Sequence, residues 1–171
     1  MEQGDIVLIR LTPREVQDIL SGIPMRECRG YPCAAGNLVP GVVACCAMEG
    51  YHAGQDWFWC APRLFCHTSQ RLIVGSGCFK GSPVCGIVEI GYGVAGAYEG
   101  KGYASAGVAR LVEEAFTHGG VDAVIAETSV HNPASQRVLE KNGFHRFGQR
   151  DDREDGLLAQ WRRDCTVKHA P

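Results

Sequence analysis

The sequence lacks any apolar run of membrane-spanning length, which takes about 20 residues. It also lacks a block or stripe of Lys and Arg. The first absence argues against a spanning helix, and the second removes the electrostatic footprint that nucleic acid demands. Charge is close to balanced, with Lys+Arg 17 against Asp+Glu 19 and a formal net charge of -2. No C-x-x-C pair and no Cys/His ligand spacing occurs among the nine cysteines (28, 33, 45, 46, 60, 66, 78, 85 and 165), so no metal site is expected. The opening "MEQGDIVLIRLTPRE" has acid early and one short apolar run, unlike a secretory signal. A cytoplasmic location is therefore expected, and a disulfide framework is not. In company such as "VVACCAM" the cysteines read as small hydrophobes that fill a core. No repeat, linker or low-complexity tract divides the chain. Its 171 residues, 45% hydrophobic and 21% charged, suit one domain over 1–171 with a real core.

Local patterns supply the elements. "IVLIRL" (6–11) reads as a strand. Thr12-Pro13-Arg14-Glu15 then offers an N-cap, a proline at the first helical position and a capping-box Glu. The helix that follows has Val16, Ile19 and Leu20 on one face and stops at Ser21-Gly22. Residues 23–37 read as an irregular connection, and a second helix is expected from about 41. From 57 onward the pattern is that of strands, "WFWCAPRLFCHT", "RLIVGSGCFK" and "VCGIVEIGYGV", with turns at 68–70 and 81–83. Ala104, Val108, Leu111, Val112 and Ala115 repeat at helical spacing up to Gly119-Gly120. "VDAVIAETSV" is a further strand, Asn132-Pro133 opens a helix closed by Gly143, and 145–162 reads as a hairpin about "DREDG".

Two glycine groups compete for a phosphate. Gly91-Tyr92-Gly93-Val94-Ala95-Gly96 spells G-x-G-x-x-G. A dinucleotide site, however, needs those glycines between the first strand and helix of a βαβ unit, with an acid ending the next strand. Here Gly91 and Gly93 lie inside a late strand, and the acids at the required distance, Glu113 and Glu114, fall within a helix. The match is rejected. Glu99-Gly100-Lys101-Gly102-Tyr103-Ala104 instead joins a strand to a helix, where glycines and uncrowded N–H groups suit an anion. The bland alternative for those six residues is a plain strand-to-helix turn.

The order strand, glycine loop, helix, strand, Asn-x-x-Ser helix, Gly-Phe is far more specific than any one piece. In that order the sequence resembles the GNAT superfamily of acyl-CoA-dependent N-acetyltransferases, above all the branch of the ribosomal-protein N-terminal acetyltransferases RimJ and RimL. The resemblance is strong over 84–148, weaker over 57–83, and rests on element order alone over 1–56. It implies an α/β fold (α+β by some schemes) with a central mixed, mostly antiparallel sheet flanked by helices and a splayed, bulged strand. The loop signature Gln/Arg-x-x-Gly-x-Gly/Ala is matched by Glu99-x-x-Gly102-x-Ala104. By resemblance, the amides of 99–104 hold the pyrophosphate of acetyl-CoA and its pantetheine arm runs along Tyr92, Gly93 and Val94. Glu99 stands where relatives have Gln or Arg and brings a negative charge to the phosphate site.

The chemistry implied is direct transfer of an acetyl group to a primary amine, of a small molecule or a protein N-terminus, in a ternary complex. An alkyl ammonium has a pKa near 10 and must lose a proton first. Glu89 is the candidate base; the alternative is an exposed residue on the polar face of a half-buried strand. Backbone amides of the splayed strand would stabilise the oxyanion. Many relatives protonate the departing thiolate with a Tyr four residues before the Gly of Gly-Phe, a position held here by Leu139. Ser135 is the RimL-like substitute, or simply a small polar residue at the third helical position. Asn132 is either a coenzyme contact or only the helix cap. Transfer of a larger acyl group, or a non-catalytic acyl-CoA-binding module of the same fold, are the competing readings. Neither nucleic acid nor membrane is an expected partner.

Overall fold

The computed structural model describes residues 5–166. Nine strands and five helices run in the order β1 (Ile6–Arg10), α1 (Pro13–Leu20), β2 (Glu27–Cys28), β3 (Tyr31–Pro32), α2 (Gly41–His52), α3 (Trp57–Cys60), β4 (Arg63–His67), β5 (Leu72–Phe79), β6 (Ile87–Val94), α4 (Tyr103–His118), β7 (Ala123–Ser129), α5 (Pro133–Lys141), β8 (His145–Asp152) and β9 (Gly156–Asp164). Seven strands form one sheet in the order β1-β4-β5-β6-β7-β9-β8, while β2 and β3 pair with each other. All neighbours in the large sheet are antiparallel except β6 and β7, which α4 connects in parallel. This is the mixed, mostly antiparallel sheet flanked by helices that the resemblance implied.

Helices cover the two faces of the sheet separately. Val108, Leu111, Val112 and Ala115 of α4 pack with Phe65, Val74, Val88, Ile90, Val124 and Trp161 on one face. On the other, Val16 of α1 and Ala44, Ala47 and Met48 of α2 close over Leu64, Cys66 and Ile73. Each helix buries the stripe that its periodicity announces. The α1 start carries the expected capping box, in which Thr12 accepts from the Glu15 N–H and Glu15 returns a bond to the Thr12 N–H.

Three expectations need correction. Residues 57–60 are helical rather than extended. Asp56 caps the turn by accepting from the Phe58 N–H at 2.9 Å, and the buried Arg63 takes the carbonyls that the turn leaves free. Its Nη1 donates to Ala61 O at 2.6 Å and Nη2 to Phe58 O at 2.7 Å, while Nε bonds Glu114 Oε2 at 2.7 Å. The guanidinium also lies 4.3 Å from the Phe79 ring centroid. An aromatic, β-prone run is thus folded back by a charge that no local pattern reveals. The connection 23–37 is also less irregular than expected, since it holds the β2–β3 hairpin. Of the cysteines, 28, 60, 66 and 78 are buried, but Cys45, Cys46 and Cys85 are exposed. Because α2 buries 44, 47 and 48, helical period turns 45 and 46 outward.

Gly107 sets how deeply α4 seats on the sheet. A Cβ there would lie 2.3 Å from Phe65 Cε2, far inside contact distance. Gly107→Val is expected to lower stability by about 1–3 kcal/mol through overpacking. The measurement is the urea midpoint, and a midpoint at or above that of the parent would show that the α4–β4 seam opens at no cost.

Candidate functional site

The sheet opens at one place. The β6–β7 ladder runs from Ile87↔Ala123 to Ile90↔Ala126 and ends there. Beyond it β6 stays with β5 as far as Val94↔Gly75, and β7 stays with β9 as far as Ser129↔Leu158. The β5–β6 register is unbroken over 90–94, so the expected bulge does not interrupt this pairing and the splay lies entirely on the β7 side. The bonds Lys80 N–H to Glu89 O and Ala95 N–H to Val74 O, both 2.8 Å, show that odd-numbered residues of β6 hydrogen-bond to β5. By the alternation of the ladder, the N–H groups of Tyr92 and Val94 therefore point into the opening, past the last β7 partner. Among the candidate residues, Tyr92 and Val94 are half-buried and Gly93 is exposed.

The glycine loop follows a single 3₁₀ turn, Gly96–Tyr98. Gly100 and Gly102 have φ of +71° and +85°. A Cβ at either would meet nothing within 4 Å, so the backbone conformation, not space, requires glycine. Gly102 caps α4 without any side-chain bond, and the first helical hydrogen bond is Ala106 N–H to Gly102 O at 3.0 Å. The N–H groups of Tyr103, Ala104 and Ser105 consequently have no acceptor within the helix. They form an anion-binding end reinforced by the helix dipole. Glu99, Gly100, Lys101 and Gly102 are exposed. Lys101 folds back on Ala97 O at 2.9 Å, and the buried Tyr103 ring bonds Gln70 at 3.2 Å, leaving its backbone amide for the site. Gly91 and Gly93 of the rejected G-x-G-x-x-G pattern lie within β6.

Glu89 projects from β6 on the face opposite α4, is 26% exposed and pairs with Lys80. Glu89 and Ile125 are register partners, so Glu127, two residues further along β7, shares their face. Glu127 is only 13% exposed. Arg150 donates to it at 2.7 and 2.6 Å and Gln160 at 3.1 Å. The Arg150 guanidinium holds its carboxyl below the ordinary range against the opposing effect of burial. Residue reasoning passed over Glu127; the signal was an acid in an otherwise apolar strand just before Asn132. The acidic turn has its own structural work. Asp152 accepts from the Glu154 and Asp155 N–H groups, and the Glu154 bond, with Arg150, pushes its carboxyl down to about 2.

On the α4 face, the Tyr92 hydroxyl reaches α5. It lies 2.9 Å from Ser135 Oγ and donates to Ser135 O at 3.0 Å. Burial pushes the Tyr92 phenol up to about 12, partly offset by Ser135. Tyr92 entered the sequence reading only for its backbone, yet its phenol meets Ser135, while Leu139 is fully buried. Asn132 Oδ1 accepts from the Ser135 N–H at 3.0 Å and caps α5.

A cavity of about 360 Å³ lies on the opposite face of the sheet, the face of Glu89 covered by α1 and α2, bounded by Ile19, Ile23, Met25, Leu38, Val39 and Leu64. Leu64, Ser76 and Gly93 form one cross-strand row, and Ser76 Oγ donates to Leu38 O at 2.5 Å. The floor of the cavity is therefore two strand spacings, roughly 10 Å, from Gly93. Among the described residues, no cluster of His, Cys, Asp and Glu has the makings of a metal site, and no helix is long and apolar enough to cross a membrane.

Comparison with known proteins gives this geometry a context. A profile of the Acetyltransferase (GNAT) domain matches residues 42–145. No curated protein sequence matches the chain. Among solved structures, the acetyltransferase (GNAT family) from Bacillus anthracis is 23% identical with a TM-score of 0.55, over 60% of this chain and 65% of that one. The ribosomal-protein-S5-alanine acetyltransferase from Vibrio fischeri is 13% identical with a TM-score of 0.67, over 100% and 98%. The spermidine N-acetyltransferase from Vibrio cholerae, in complex with CoA and spermine, is 14% identical with a TM-score of 0.65, over 94% and 96%.

The buried phenol predicts a titration. Tyr92 should ionise near pH 12, and Tyr92→Phe should remove a step at that pH from the phenolate absorbance curve. A Tyr92→Phe curve that loses an early step instead would place Tyr92 in water.

Proposed function

The chain belongs to the GNAT acetyltransferase family, and from that premise we propose that it is an acetyl-CoA-dependent N-acetyltransferase of the RimJ/RimL-like kind, formed as one domain over 1–171. The observation that carries the reading is two sets of backbone donors without partners in the fold. The Tyr92 and Val94 amides in the opening and the uncapped first turn of α4 lie at the two ends of the segment 92–105.

These residues fit acetyl-CoA as cosubstrate. The α4 amides, with the backbone of 99–104, would bind its pyrophosphate, where φ > 0 at Gly100 and Gly102 lets the chain curl around an anion. Its pantetheine arm would take the place of the missing β7 partner along Tyr92, Gly93 and Val94, as an added strand does. Asn132, which caps α5 by accepting from the N–H of the Ser135 that meets Tyr92, is proposed as a further coenzyme contact. Fold likeness over nearly the full length to the enzymes that carry CoA with spermine or act on ribosomal protein S5 supports an amine acceptor, of a small molecule or a peptide N-terminus.

The two faces divide the proton transfers. An amine entering on the Glu89 face gives up its proton to that carboxylate, directly or through water, and attacks the thioester carbon. The Tyr92 and Val94 amides stabilise the oxyanion, as fixed dipoles that need no reorganisation. The thiolate leaves on the α4 face, where the Ser135–Tyr92 hydroxyl pair supplies a hydrogen bond or proton; a phenol that titrates near 12 remains a donor throughout the working range.

Thiol release from acetyl-CoA against a panel of amines tests the assignment. Glu89→Gln is expected to lower turnover by about 10²–10⁴-fold with acetyl-CoA affinity unchanged; near-normal turnover would make Glu89 a scaffold residue. Gly102→Val should weaken acetyl-CoA binding at least tenfold, about 1.4 kcal/mol, because valine resists the φ of +85°. Tight acetyl-CoA binding without thiol release for any amine would favour the non-catalytic acyl-CoA-binding module.

A further inference from the structure

An amine of the chain itself already stands against the proposed base. Lys80 follows the last residue of β5, and its backbone is bonded to Glu89. Its ammonium donates to Glu89 Oε1. A Cβ added to Gly91 would lie 3.7 Å from Lys80 Cε, so the aliphatic stem passes over Gly91. That residue immediately precedes Tyr92, whose amide opens into the splay. The side chain is 50% exposed and its ammonium is held by one ion pair to a partly exposed carboxylate, so rotation of the ammonium toward the opening costs little. Its charge also reaches Glu127 on the neighbouring strand. The other described lysines lack this setting: Lys101 is bonded to the backbone of its own loop, and Lys141 ends α5.

We infer that Lys80 is an intramolecular acetyl acceptor, a self-modification site built into the acceptor cleft. The inference rests on the transferase reading above. Glu89 takes a proton from the Lys80 ammonium, and the freed lone pair attacks the thioester carbon of acetyl-CoA. The new N–C bond forms as the C–S bond breaks. The nitrogen loses a second proton on forming the amide; of the two released, one ends on the departing thiol and the other in solvent. No oxidant or further reactant is needed. The amide carries no charge, so the Lys80–Glu89 ion pair is lost and the carboxylate faces the cleft alone. An empty cleft would therefore be marked covalently whenever acetyl-CoA is present without another amine.

The experiment incubates the purified full-length protein with acetyl-CoA at mildly alkaline pH, without added amine, and maps peptides by mass spectrometry. Lys80 should be acetylated at least tenfold faster than Lys101 and Lys141, at a rate that does not change on tenfold dilution of the protein. Glu89→Gln should bring Lys80 down to the rate of the other two. Labelling of Lys80 no faster than theirs, or a rate that falls on dilution, overturns the inference. The same preparation is assayed for thiol release with external amines. Release without preferential Lys80 labelling removes this inference and leaves the transferase reading; absence of both removes the two together.

Discussion

Everything at the candidate site depends on the parallel ladder between β6 and β7 ending after Ile90↔Ala126. Backbone N–H groups inside a sheet are ordinarily all paired, and leaving one without a partner costs free energy. The opening survives because each strand is held elsewhere. β6 is bound to β5 through Val94, and β7 to β9 through Ser129. The two halves of the sheet, β1-β4-β5-β6 and β7-β9-β8, follow their own antiparallel partners and share one short seam. Helix α4 spans that seam, seated on Phe65 where Gly107 allows close approach. Donors kept open by such a frame are already oriented for a ligand, which is what makes them useful for charge that appears only during reaction.

The frame also separates two kinds of chemistry. Strand alternation places Glu89 and Glu127, with their Lys80 and Arg150 partners, on one face and the Tyr92–Ser135 hydroxyl pair on the other. The first face is charged and partly wet; the second is buried enough to keep a phenol protonated. In the proposed transfer this separation lets the amine lose its proton on one face while the departing thiol receives its hydrogen bond on the other.

Cavity and charge flank the opening on different sides. The apolar hollow under 19–39 lies two strands from Gly93, with the Ser76–Leu38 hydrogen bond between, while the carboxylates lie toward β7. In the proposed reaction an amine brought to Glu89 would meet apolar surface on one flank and the fixed Glu127–Arg150 pair on the other. Arg150 is also tied to Asp152, which organises the turn of the β8–β9 hairpin, so the position of that distal turn and the charge beside the opening are coupled.

Local sequence by itself determined what depends on local physics. The capping box at Thr12, the α4 stripe from Val108 to Ala115, the glycine loop that needs left-handed φ and the Asn132 cap of α5 are all legible within a few residues. So was the element order, and with it the family. Tertiary structure decided the rest, because the deciding partners are distant in the chain. Arg63, through Glu114 and two carbonyls, turned an aromatic run into a helix. The packing of α2 chose which cysteines face water. Glu127 became a fixed charge only through Arg150, and Tyr92 a phenolic donor only through Ser135, 43 residues away. The two open amides cannot be read from β6 at all: whether an N–H is free is set by the strand beside it, and that strand leaves at Ala126.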